Sequence, residues 1–165
     1  MTRVNRESLH RESAPQHRAH VSTFEDLEVY RVAREFRKAI YQIAKQLPEA
    51  EKFGLASQMR RAAVSLTNNI AEGHGRYHYL DQIKFTLHSR GSLEELLDDL
   101  NVCEDEQYVR IDEIAPLIED GWRDRQLIDG YVRYLRQQTT DRRGSSVCED
   151  SPAYAEDIDD SRFTM

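Results

Sequence analysis

From Leu55 to Gly73 the chain superimposes two helical stripes of different chemistry. At about 100° per residue, Leu55, Met59, Ala62, Leu66 and Ile70 form an apolar line. Gln58, Arg61, Ser65, Asn69 and Glu72 form a polar line beside it rather than opposite. A helix that buries the first line holds the second at the edge of the core, where hydrogen-bonding groups need partners. The pattern therefore predicts a polar seam against another helix or another subunit.

Three further amphipathic segments surround this one. Thr23 begins TFED, an N-cap threonine with an acid three residues on. Leu27, Tyr30, Ala33, Phe36, Ile40, Ile43 and Leu47 follow at helical spacing until Pro48 stops the run. The second helix starts near Pro48 to Glu51, where proline and acids suit a first turn, and stops at Gly73 and Gly75. A third helix spans about Tyr79 to Asp105. Its apolar positions move from Leu80, Ile83 and Leu87 to Leu93, Leu96, Leu97 and Leu100 on another side of the wheel, which implies more than one packing partner. Gly91 inside it costs about 1 kcal/mol relative to alanine, so Arg90 to Glu95 is expected to be a point of close helix approach. Asp112 caps a fourth helix, with Pro116 in its first turns and an end near Gln137. Short connections between four amphipathic helices predict an all-α, antiparallel up-down-up-down bundle over residues 23–137.

The flanks read differently. Residues 1–22 lack apolar periodicity and are expected to form a disordered arm, and residues 138–165 an acidic disordered tail. The composition agrees: 39% hydrophobic and 32% charged residues, with seven Gly and four Pro, suit one helical domain with tails. No long apolar run and no secretory leader are present, so a cytoplasmic location without membrane contact is expected. Cys103 and Cys148 have no CxxC partner, which leaves two ordinary thiols.

Net charge is −7. Residues 1–22 carry four Arg against two Glu, and residues 138–165 three Arg against seven acids. A nucleic-acid footprint must then be a local cluster in an acidic body, with Arg60, Arg76 and Arg90 as candidates.

The strings FEDLEVYRVAREF, GLASQMRRAAVSLTNNIAEGHGR and SRGSLEELLDDL resemble the family of small four-helix bundle proteins encoded within intervening sequences of bacterial 23S ribosomal RNA genes. The resemblance covers roughly residues 23–137. It is carried by Phe24, Leu27, Val29 and Tyr30, by Gln58, Arg60, Arg61, Ala62, Ser65, Asn69 to Gly73 and Arg76, and by Arg90, Gly91, Ser92 and Glu95. It implies a homopentameric ring and no enzymatic activity. It also implies a fold shared with accessory proteins of diversity-generating retroelements, which points to RNA or a reverse-transcriptase-type nucleoprotein as partner. The chain departs from the pattern at Tyr30, where tryptophan is frequent, and at His88 and Ser89, where small or apolar residues are usual.

The remaining chemistry is weighed against packing. Arginine and glutamate in the seam could serve a reaction, but Gln58, Arg61, Ser65, Asn69, Glu72 and Glu95 are read as a structural or oligomer-forming network, with no catalytic residue, cofactor or small-molecule substrate. Arg61 or Arg90 is expected to pair with Glu72 or Glu95 between the second and third helices. The only Glu-x-x-His pair, Glu7 and His10, lies in the arm, and His74 and His78 are split by Gly75, so no metal site is expected. An adaptor acting through the acidic surface and tail is the first rival reading, and an enzyme using Arg61 and Glu72 the second.

Overall fold

The computed structural model describes the backbone of residues 23–145 and the side chains of residues 23–140. The expected N-terminal arm and residues 146–165 of the expected tail lie outside the described residues. Four helices account for the described chain: α1 (Glu28–Gln46), α2 (Leu55–His74), α3 (Tyr79–Asp105) and α4 (Ile111–Ser145).

Local chemistry sets their ends. Thr23 donates its backbone N–H to the Asp26 carboxylate at 3.0 Å, as the TFED motif predicts, but the motif caps a single 3-10 turn, Phe24–Asp26. Extended Leu27 then admits α1. Leu47 is also extended, at ψ 149°, because the ring of Pro48 excludes the helical region for the residue before it. Pro48 leads into a second 3-10 turn, Glu49–Glu51, and the Glu51 carboxylate accepts the Leu55 N–H at 3.0 Å, covering one of the unpaired donors at the start of α2.

Cross-helix contacts fix the direction of each helix. Going down α2, Gln58 meets Asp99, Ser65 meets Ser92 and Leu66 meets Ser89, so α3 runs antiparallel to α2. Arg90 meets Asp129 and Glu94 meets Arg125, so α4 opposes α3. Arg37 reaches Thr67 and Arg60 reaches Ala44 between α1 and α2. Gln46 reaches Glu113 between α1 and α4. The order around the bundle is α1, α2, α3, α4, with α4 returning to α1.

The core forms along the axis from Phe36, Ile40, Met59, Leu66, Ile70, Leu93, Leu96, Leu100, Ile114 and Ile128, each at most 4% exposed. A smaller core joins Ile83, Val132 and Leu135 beside Tyr79, Leu87 and Tyr131. It exists because α3 and α4, of 27 and 35 residues, outrun the 19 and 20 residues of α1 and α2. That is the second packing partner which the shifting apolar face of α3 requires.

Two expectations are corrected. α4 continues to Ser145 instead of ending near Gln137, so residues 138–145 belong to the helix and not to the tail. Extending an existing helix costs little compared with nucleating one, and the Thr139 and Thr140 hydroxyls satisfy themselves on the Leu135 and Arg136 carbonyls at 3.0 and 3.2 Å. Gly91 is exposed, and a Cβ there would meet nothing within 4 Å, so no helix of the same chain approaches it. The close approaches are at Gly73, whose Cβ would lie 3.1 Å from Phe85 Cβ, and at Gly121, whose Cβ would lie 2.6 Å from Leu97 Cδ2.

Candidate functional site

The seam forms partly within the chain. The Gln58 amide donates to Asp99 Oδ1 at 3.0 Å. Lower down, the Ser92 hydroxyl donates to Ser65 Oγ at 2.9 Å, and the Asn69 amide donates back to the Ser65 carbonyl and hydroxyl at 2.8 and 3.0 Å. Small side chains allow this close spacing: Ser89 is fully buried and donates to the Leu66 carbonyl at 2.7 Å.

The charged members behave otherwise. Gln58, Arg61, Glu72 and Glu95 are exposed, while Ser65 and Asn69 are half-buried. Glu72 is engaged by Arg76 one turn along, and Arg90 turns to the other side of α3 and meets Asp129 at 3.2 Å. The expected pairing of Arg61 or Arg90 with Glu72 or Glu95 does not form. Position 90 lies about 160° around the helix from Ser92, so it faces α4 and not α2. Arg61 has no hydrogen bond or ion pair among the described residues.

Sequence reasoning missed Asp99 and Asp124. Asp99 is 3% exposed with Oδ2 unpartnered. Burial, then the neighbouring Glu95 and Asp98, push its carboxyl up to about 6 against the opposing Gln58 hydrogen bond. Asp124 is 2% exposed with both oxygens unpartnered, and burial followed by Asp120 pushes it up to about 7. Both continue apolar stripes, Asp99 with Leu96 and Cys103 and Asp124 with Gly121 and Ile128, and that spacing was the available signal. Cys103 is fully buried beside Met59 Sδ at 4.0 Å, with its thiol pushed up to about 11 by burial. Such a thiol is inert as a nucleophile. Among the described residues no cluster of His, Cys, Asp or Glu has the makings of a metal site, and no helix is long and apolar enough to cross a membrane.

The three candidate arginines are not brought together. Arg76 sits past the end of α2, on Glu72 and 4.6 Å from the Phe85 ring centre. Arg90 is on the α3–α4 side. Arg60 alone faces α1, donating to the Lys52 and Ala44 carbonyls at 3.1 and 3.5 Å. There it joins a different set. A shallow groove of about 620 Å³ along α2, lined by Tyr41, Ser57, Arg60, Arg61, Asn68 and Asn69, shares Tyr41 and Val64 with a second groove that adds Arg37, Lys38 and Lys45 from α1.

This local cluster has a global counterpart. α1 carries five basic residues against two acids, and α2 two arginines against Glu72. α3 carries seven acids against Lys84 and Arg90. The chain is thus electrically two-sided, and its net charge of −7 says little about the α1–α2 face.

Comparison with curated proteins gives no match. Residues 25–127 match the model of the family described as 23S rRNA-intervening sequence protein, a span that begins just before α1 and reaches into α4. With more than half of its length matched and four helices packed as a bundle, the chain belongs to that family.

Proposed function

We propose that this protein is a non-enzymatic scaffold of the cytoplasm that assembles as a homo-oligomeric ring, a pentamer by family resemblance, and binds structured RNA or a nucleoprotein through the α1–α2 face. The observation that carries the RNA reading is the joined groove of Arg37, Lys38, Lys45 and Arg60 around Tyr41. Cations held on rigid helices suit phosphates, and an aromatic ring among them offers a stacking surface for an unpaired base. A ring repeats a weak site around one axis, so modest single contacts add through multivalency.

The test is the salt dependence of binding to a structured RNA. Affinity falls steeply between about 50 and 200 mM salt when several phosphates are neutralised. Replacing Arg37, Lys38 and Lys45 together by alanine removes most of that binding and flattens the salt slope. Binding that is absent, or insensitive to salt in the unaltered protein, overturns the RNA reading.

The seven acids of α3 favour a second reading, an adaptor for a basic protein partner. A basic partner competing with RNA for neither α1 nor α2 would identify it. The enzyme reading loses support, since Glu72 is occupied by Arg76 and Arg61 stands apart from it.

A further inference from the structure

Asp124 is the one buried carboxylate among the described residues with neither oxygen partnered. An unpaired ionised group in that position is costly, and a cation brought to it recovers part of the cost. It lies on the wall of a groove of about 410 Å³ between α1 and α4. The other charges lining this groove are already matched: Glu35 by Lys38 at 2.7 Å, and Asp120 and Arg123 by each other at 3.0 Å. Val32, Phe36, Ala39 and Leu117 complete the walls. Apolar walls around one unmatched carboxylate suit an arginine, whose methylene stem packs while its planar head pairs.

The complementary group is present on the chain, on the wrong side for its own Asp124. Arg61 is exposed and without a partner among the described residues, on the outer surface of α2 and apart from the α1–α4 groove. Next to it, His88, Gly91 and Glu95 form an exposed rim of α3 at three- and four-residue spacing. Gly91 gives up helix stability there without contacting anything in its own chain, which leaves room for a helix of another.

We infer that the α1–α4 groove is a socket for Arg61 of a second copy of this chain, whose guanidinium pairs with the Asp124 carboxylate. Donor and acceptor lie on opposite sides of one bundle, so the contact is head-to-tail, the kind that closes into a ring when its rotation closes. The inference rests on the homo-oligomer reading above and adds the two surfaces that meet.

Native mass measurement of the full chain tests it with Arg61→Ala, Asp124→Asn and their equimolar mixture. The unaltered protein is expected to give one closed assembly. Each variant alone is expected to lose that assembly and run as a single chain. The mixture is expected to recover a species of two chains, because the intact Arg61 of one variant meets the intact Asp124 of the other and no second contact can form. If both variants keep the parent mass, the socket is wrong while the oligomer reading stands. If Asp124→Asn dissociates and Arg61→Ala does not, another cation occupies the socket and the inference is overturned. If the unaltered protein is a single chain at every concentration, the oligomer reading and the socket fall together. Arg61 is exposed, so its alanine variant carries the test even if Asp124→Asn does not fold.

Discussion

The amide of Gln58 reaches across from α2 and donates to Asp99 Oδ1 at 3.0 Å, yet the other oxygen of that carboxylate has no partner. One neutral hydrogen bond does not offset the burial of a charge. Among the described residues, Asp99 and Asp124 are the two carboxylates that the fold holds well above their ordinary range, at about 6 and about 7.

Their linkage to pH has a definite sign. Both folded-state values lie above the unfolded value near 4, so the folded chain binds protons that the unfolded chain has released. The associated stability is fully present below about pH 4 and is lost as pH rises through 6 and 7. For Asp99 the loss is on the order of 3 kcal/mol at most, at about 1.4 kcal/mol per unit. Denaturant unfolding of the dissociated chain should show stability falling from pH 5 to pH 7.5. Asp99→Asn, which keeps the Gln58 contact, should flatten that slope. A slope that is unchanged in the variant would remove Asp99 from the account.

Gly91 and Gly121 should respond to alanine in opposite directions. At position 121 the new Cβ would lie 2.6 Å from Leu97 Cδ2 and 3.3 Å from Phe36 Cζ, so the α1, α3 and α4 side chains must shift. Overpacking of this kind costs roughly 1–3 kcal/mol, against a gain of up to about 1 from helix propensity. At position 91 only the gain applies to the single subunit. Thermal melts of the two variants in the Arg61→Ala background should move down for Gly121→Ala and up for Gly91→Ala.

The small core at the far end of α3 and α4 should open on its own. Leu135 is 1% exposed and packs with Ile83 and Val132, apart from the main core. Leu135→Ala removes about 2–5 kcal/mol of local packing. Hydrogen exchange should then quicken in Tyr79 to Leu87 and Tyr131 to Thr139, while α1 and the middle of α2 stay protected. Uniform acceleration over all four helices would show instead that the bundle melts as one unit.

Cys103 should resist alkylation. Its thiol is fully buried and pushed up to about 11, so almost no thiolate is present or reachable at neutral pH. Mass mapping after iodoacetamide treatment at pH 7.5 should find Cys103 unmodified in the native protein and modified in denaturant. Rapid native labelling would mean that α2 and α3 separate readily.

Much of the fold follows from particular residues in sequence. Pro48 sets the end of α1 through the conformation it forbids to Leu47, the apolar spacing of α3 delimits Tyr79 and Asp105, and the Leu55 to Ile70 line becomes core. The end of α4 was illegible for the opposite reason, since its last two turns are polar and helix continuation there needs no buried stripe. The candidate site divides in the same way. Periodicity placed Gln58, Ser65 and Asn69 on one edge of α2, and they do line one seam. It could not say that Asp99 and Ser92 would meet them, that Arg90 would turn to Asp129, or that Arg37, Lys38 and Lys45 of α1 would join Arg60. A residue's direction on its own helix is set by 3.6-residue geometry, which the sequence contains. Its partner is set by the register between helices far apart in the chain, and only their packing decides that.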